Sequence, residues 1–100
     1  MKFEIVKFNE RLANATSGVT RGRPDLWIKL SSKDGLLKAL RFASTCQGHI
    51  GIREEGQKDI LFPYIDYATA LAAVKATVAS GVRDDNVLIR IARNTIPYYP

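Results

Sequence analysis

The chain has 100 residues, 46% of them apolar and 25% charged, which suits one globular domain with its own core. Its 15 basic and 10 acidic side chains leave a net charge of +5, a balance that favours anionic partners. A single cysteine, Cys46, excludes an internal disulfide, and a single histidine, His49, leaves a zinc site short of its usual ligands.

Phe3 to Phe8 is rich in β-formers and reads as a first strand, either an addition to a sheet or a flap over it. Glu4 and Lys7 interrupt this start where a secretion signal needs an apolar run, and no stretch reaches the length of a membrane span, so a cytoplasmic protein is expected. Asn9 to Gly18 has room for one short helix. Arg21-Gly22-Arg23-Pro24 follows as a basic loop. Leu26, Ile28 and Leu30 alternate with Trp27 and Lys29, as in a half-buried strand. Ser31 to Asp34 offers a helix cap with an acid three residues on, and Leu36, Leu37, Leu40 and Ala43 line one side of the helix expected after it.

His49 to Arg53 and Lys58 to Phe62 flank the polar Glu54-Glu55-Gly56-Gln57 and predict a hairpin. Pro63 cannot donate to a ladder, so pairing is expected to stop at Phe62 or to carry a bulge there. Asp66 is a good cap and Gly81 a good stop for a helix over Tyr67 to Ser80, with Tyr67, Ala70, Leu71, Val74 and Val78 as its core stripe. The remaining face of that helix is nearly free of charge. Val87 to Ala92 alternates again and predicts a closing strand before the aromatic tail that includes Tyr98 and Tyr99.

The order from residue 25 to 93 is therefore strand, helix, strand, strand, helix, strand. This is a ferredoxin-like α+β arrangement, βαββαβ, with two helices on one face of an antiparallel sheet and an extra N-terminal strand. The whole is one domain: strand and basic loop over 1–24, core over 25–93, tail over 94–100.

No phosphate-binding glycine loop is present, and the acidic pairs Glu54-Glu55 and Asp84-Asp85 fall in predicted loops. Cys46 and His49 lie three residues apart across a turn, which ill suits an in-line catalytic pair. No catalytic residue, metal ligand or cofactor is assigned, and the protein is expected not to be an enzyme. What remains is a binding surface. Alternation turns Ile50 and Ile52 inward and Arg53 outward. In the closing strand it turns Val87, Ile89 and Ile91 inward and Leu88 and Arg90 outward. Trp27, Lys29, Arg53 and Arg90 would thus share the sheet face that the helices leave free, within reach of Arg21 and Arg23 on the loop. Such a face suits base stacking and phosphate neutralisation.

Residues 26–93 resemble an RNA-recognition motif. Leu26-Trp27-Ile28-Lys29 fits the first four positions of that family's first-strand motif, and Lys58 and Phe62 match its third-strand motif. Leu30, Ser31, Asp59, Ile60 and Pro63 depart from it. The resemblance implies Trp27 and Phe62 as base-stacking positions, and single-stranded RNA or DNA as the partner. In size and missing chemistry the chain is also similar to the small phage-encoded anti-CRISPR proteins. That profile implies a non-enzymatic inhibitor docking on a host nucleoprotein complex. On either reading the partner is a macromolecule, with neither a membrane nor a small-molecule substrate expected, and the contact residues are Arg21, Arg23, Trp27, Lys29, Arg53, Lys58, Phe62 and Arg90.

Overall fold

The computed structural model describes residues 1–8, 27–47 and 50–96, except for the side chains of Phe8 and Trp27. Four strands, β1 (Lys2–Phe8), β2 (Trp27–Asp34), β3 (Ile50–Glu54) and β4 (Phe62–Ile65), form one sheet in the order β2-β1-β3-β4. Every neighbouring pair is antiparallel. Three helices complete the fold: α1 (Leu36–Ala43) between β2 and β3 in the chain, and α2 (Tyr67–Ser80) and α3 (Asp85–Thr95) after β4. The fold is α+β with a four-stranded antiparallel sheet, and the N-terminal strand does belong to that sheet.

The first strand, expected as an addition to the sheet or a flap over it, joins the sheet between β2 and β3, so α1 connects two strands that β1 separates. The expected closing strand, Val87 to Ala92, is instead part of α3. Both readings fit its apolar run locally. The difference is that Leu88 and Ala92 are buried while Arg90 between them is exposed, although a strand would turn all three to one face and a helix turns Arg90 away. Asp84 caps that helix by accepting the Asn86 N–H at 2.9 Å.

One core joins sheet and helices. Phe3 and Ile5 from β1, Ile50 and Ile52 from β3, and Phe62 and Ile65 from β4 meet Leu36, Ala39 and Leu40 of α1, Ala70 and Ala73 of α2, and Leu88 and Ala92 of α3. Ile50 pairs with Ile65 and Ile52 with Phe62, so β4 fits three residue steps against two of β3. The extra residue falls at Pro63-Tyr64, the bulge that the proline called for.

α1 begins differently from its expected cap. Ser31 to Asp34 belong to β2, and Gly35 occupies the cap position with φ +89° and ψ 143°, a region that excludes residues with a Cβ. A glycine has no side chain to accept the orphan N–H groups. Asp85 does so from a distant element: its Oδ1 accepts the Leu36 N–H at 3.0 Å, while its Oδ2 lies 3.4 Å from the Met1 ammonium. One carboxylate therefore ties together the starts of β1, α1 and α3.

α2 matches its expected bounds, with Asp66 accepting the Thr69 N–H at 2.7 Å and left-handed Gly81 ending it. Its buried stripe is rotated, however, to Ala70, Ala73 and Thr77, while Tyr67 and Val78 are exposed. This helix packs against α1 and α3. Small side chains at those contacts allow close helix approach. The Thr77 hydroxyl is satisfied within its own helix by the carbonyls of Ala73 (2.9 Å) and Val74 (3.0 Å).

Candidate interaction surfaces

The sheet face opposite the helices is built by alternation. Glu4 and Val6 of β1 pair with Arg53 and Gly51 of β3, and on the other side Glu4 pairs with Ser32 and Val6 with Lys29 of β2. Residues paired across an antiparallel ladder project to the same face, so Lys29 and Arg53 do meet there, as expected. Between them sits Glu4. Its Oε2 accepts from Arg53 Nε at 2.8 Å and from a terminal guanidinium nitrogen, and its Oε1 lies 3.4 Å from Lys29 Nζ. Arg53 holds the Glu4 carboxyl below its ordinary value, with a smaller contribution from Lys29, against the opposing effect of burial. Lys29 and Arg53 therefore share an internal counter-ion.

Nor is the centre of this face bare: Val6 is 2% exposed and Gly51 is buried. At the edge of the sheet, Ile28 and Leu30 were expected inside but are 53% and 44% exposed. Among the described residues β2 has a neighbour on one side only, and its register shifts opposite the Ile5–Val6 step, leaving Leu30 outside the pairing.

Three other expected contact residues lie elsewhere. Phe62 pairs with Ile52 on the helix side and is 3% exposed, so it belongs to the core and offers no ring to a base. Lys58 is exposed in the β3–β4 connection and in no strand. Arg90 is exposed on α3, because the segment that carries it is helical. Trp27 stands at the register position opposite Phe8, and its side chain lies outside the described residues. Arg21, Arg23, His49, Tyr98, Tyr99 and the short helix expected over 9–18 also lie outside them.

The helical layer carries the charge imbalance that sequence reasoning assigned to the sheet. Residues 35–47 and 66–96 hold Lys38, Arg41, Lys75, Arg83, Arg90 and Arg93 against Asp66, Asp84 and Asp85. Each of the three acids caps a helix. The six cations are all exposed, and none of them makes an ion pair among the described residues. In the remaining strands and connections, the cations Lys2, Lys7, Lys29, Lys33, Arg53 and Lys58 stand against Glu4, Asp34, Glu54, Glu55 and Asp59, which nearly balances. Lys33 lies over the Phe42 ring, its Nζ 4.6 Å from the centroid. The sequence signal for this partition was the Asp-Asp-Asn start of α3, which places Arg90 and Arg93 on a helix once it is read as a cap.

Between α1 and the α2–α3 connection lies a cleft of about 290 Å³. Leu37, Val82 and Leu88 supply its apolar surface, and Lys38, Arg41 and Arg83 its cations. Asp34 and the engaged Asp85 also line it. Among the described residues no three His, Cys, Asp or Glu side chains gather as metal ligands, and no helix is long and apolar enough to cross a membrane. Cys46 donates to the Phe42 carbonyl at 3.3 Å, and burial pushes its thiol above the ordinary value. Compared with protein-family models, curated proteins and solved structures, the chain matches none.

Proposed function

We propose that the protein is a non-enzymatic binding protein that docks on a nucleoprotein complex and blocks it, and that it docks through its helical layer. The observation that carries this reading is the partition of charge: six exposed cations in the helical layer, five on helices and Arg83 in the α2–α3 connection, whose own acids serve as caps, against a sheet face where Lys29 and Arg53 are partly offset by Glu4. Exposed arginines suit anionic partners because the guanidinium fork binds carboxylate and phosphate in a bidentate manner. The similarity to anti-CRISPR proteins makes CRISPR effector ribonucleoproteins the first partners to try.

The test measures inhibition of target-DNA binding by a panel of purified effectors, using wild type, Arg90→Glu/Arg93→Glu and Lys29→Glu. Loss of inhibition in the helical variant with retention in Lys29→Glu is the expected result. An inhibitor that tolerates the helical reversals but fails with Lys29→Glu would return the site to the sheet. The reading as a sheet-face binder of single-stranded nucleic acid predicts oligonucleotide affinity that falls steeply with salt and depends on Lys29 and Arg53. The shared counter-ion Glu4 and the burial of Phe62 weigh against it.

A further inference from the structure

The cleft between α1 and the α2–α3 connection combines two kinds of surface that differ in what they recognise. Leu37, Val82 and Leu88 are aliphatic, and none of the described residues lining the cleft is aromatic. A base entering it would find no ring to stack on, the contact on which single-strand binders rely. Above the aliphatic surface stand Lys38, Arg41 and Arg83, three exposed cations. Two acids share the lining, the exposed Asp34 and Asp85, which is engaged by the Leu36 N–H and the Met1 ammonium, so the three cations still outnumber them. At about 290 Å³ the cleft lies at the lower limit of ligand-sized pockets, roughly 300–1,000 Å³, which suits one anchoring side chain with its flanks.

We infer that this cleft receives an apolar side chain flanked by carboxylates, from an acidic segment of the partner protein and not from its nucleic acid. This deepens the proposed docking through the helical layer and rests on it. Apolar anchors seated in a pocket and ringed by polar contacts are how protein interfaces concentrate their affinity. Here the aliphatic surface takes the anchor, and the guanidinium forks of Arg41 and Arg83 take the flanking carboxylates.

The test is fluorescence polarisation with a labelled twelve-residue peptide, a central Leu between runs of Glu, at physiological salt. A matched peptide with Ser in place of the Leu and a labelled twelve-nucleotide single strand are titrated in parallel. Wild type should prefer the Leu peptide to the Ser peptide, and Arg41→Glu/Arg83→Glu should weaken it by about tenfold or more, equivalent to 1.4 kcal/mol. Leu37→Ser, which removes apolar surface without touching charge, should abolish the preference for Leu over Ser. Arg90→Glu/Arg93→Glu should leave that preference in place.

Equal affinity for the two peptides, or peptide binding indifferent to Arg41→Glu/Arg83→Glu, overturns the inference. Oligonucleotide binding that is lost in the cleft variants overturns it too, in favour of a phosphate site. The effector assay separates this failure from that of the broader reading. There, Arg90→Glu/Arg93→Glu reports on the helical layer as a whole, and Arg41→Glu/Arg83→Glu on the cleft alone.

Discussion

Replacing Glu4 by Gln keeps the size of the side chain and one acceptor oxygen but removes the charge that Arg53 and Lys29 share. In the folded protein the Arg53 side chain is 28% exposed, Lys29 54% and Glu4 12%. Hydrogen bonds to a charged group contribute about 1.5–3 kcal/mol when well shielded. Arg53 can still reach water, and the half-exposed Lys29 pair adds at most a few tenths at this exposure. The expected loss is therefore about 1–2 kcal/mol at pH 7. For a domain of this size each kcal/mol moves Tm by roughly 4–8 °C, so a fall of about 4–16 °C is expected. The pH dependence follows from the direction of the Glu4 shift. Because the folded carboxyl titrates below its ordinary value of 4.5, the stabilisation is fully present above that value and is lost as pH falls through the folded one. Urea unfolding of wild type and Glu4→Gln between pH 7 and pH 3 should show two curves converging below the ordinary carboxylate value. Equal stabilities at pH 7, or a gap that persists unchanged at pH 3, would show that the ion triad does not hold the sheet face together.

Other consequences can be checked by similar means. Asp85→Ala leaves the α1 N-terminus without its carboxylate acceptor and should cost about 0.5–2 kcal/mol by urea unfolding, in the range of helix-cap removals. Gly81→Ala places a Cβ on a residue at φ +68° with open space around it, so backbone strain alone should lower stability by about 1–2 kcal/mol. The Cys46 thiol, raised by burial, should alkylate with iodoacetamide more slowly at pH 7.5 than a free cysteine, with the rate rising only as pH passes above the ordinary 9.0. A rate equal to that of free cysteine would contradict the burial.

Local chemistry was legible wherever one residue type decides the backbone. Asp66 and Gly81 delimit α2 because a short side-chain acceptor and a residue tolerant of left-handed backbone are each hard to replace at those positions. Pro63 foretold its bulge for the same kind of reason, since a residue without an N–H cannot keep a ladder regular. Ile50 and Ile52 were assigned inward correctly, although the glycine between them made the alternation easy to see. The run Val87-Leu88-Ile89-Arg90-Ile91-Ala92 was different. It satisfies a period of two almost as well as one of 3.6, and a strand also needs a free edge to join.

Which edge was free is a tertiary matter. β1 took an internal place in the sheet and residues 87–92 formed a helix against α1 and α2, so Arg90 moved with them from the sheet to the helical layer. The same cause displaced the candidate site. The amino-acid sequence determined that the chain is basic, that the helix over Tyr67 to Ser80 starts at Asp66, and that Lys29 and Arg53 leave the same face of their strands. It could not show that Glu4 would stand between those two, because strand order is chosen by the whole core at once and not by any one segment. Only the assembled structure placed the counter-ion on the sheet and left the helices with cations whose neighbouring acids were already engaged as caps.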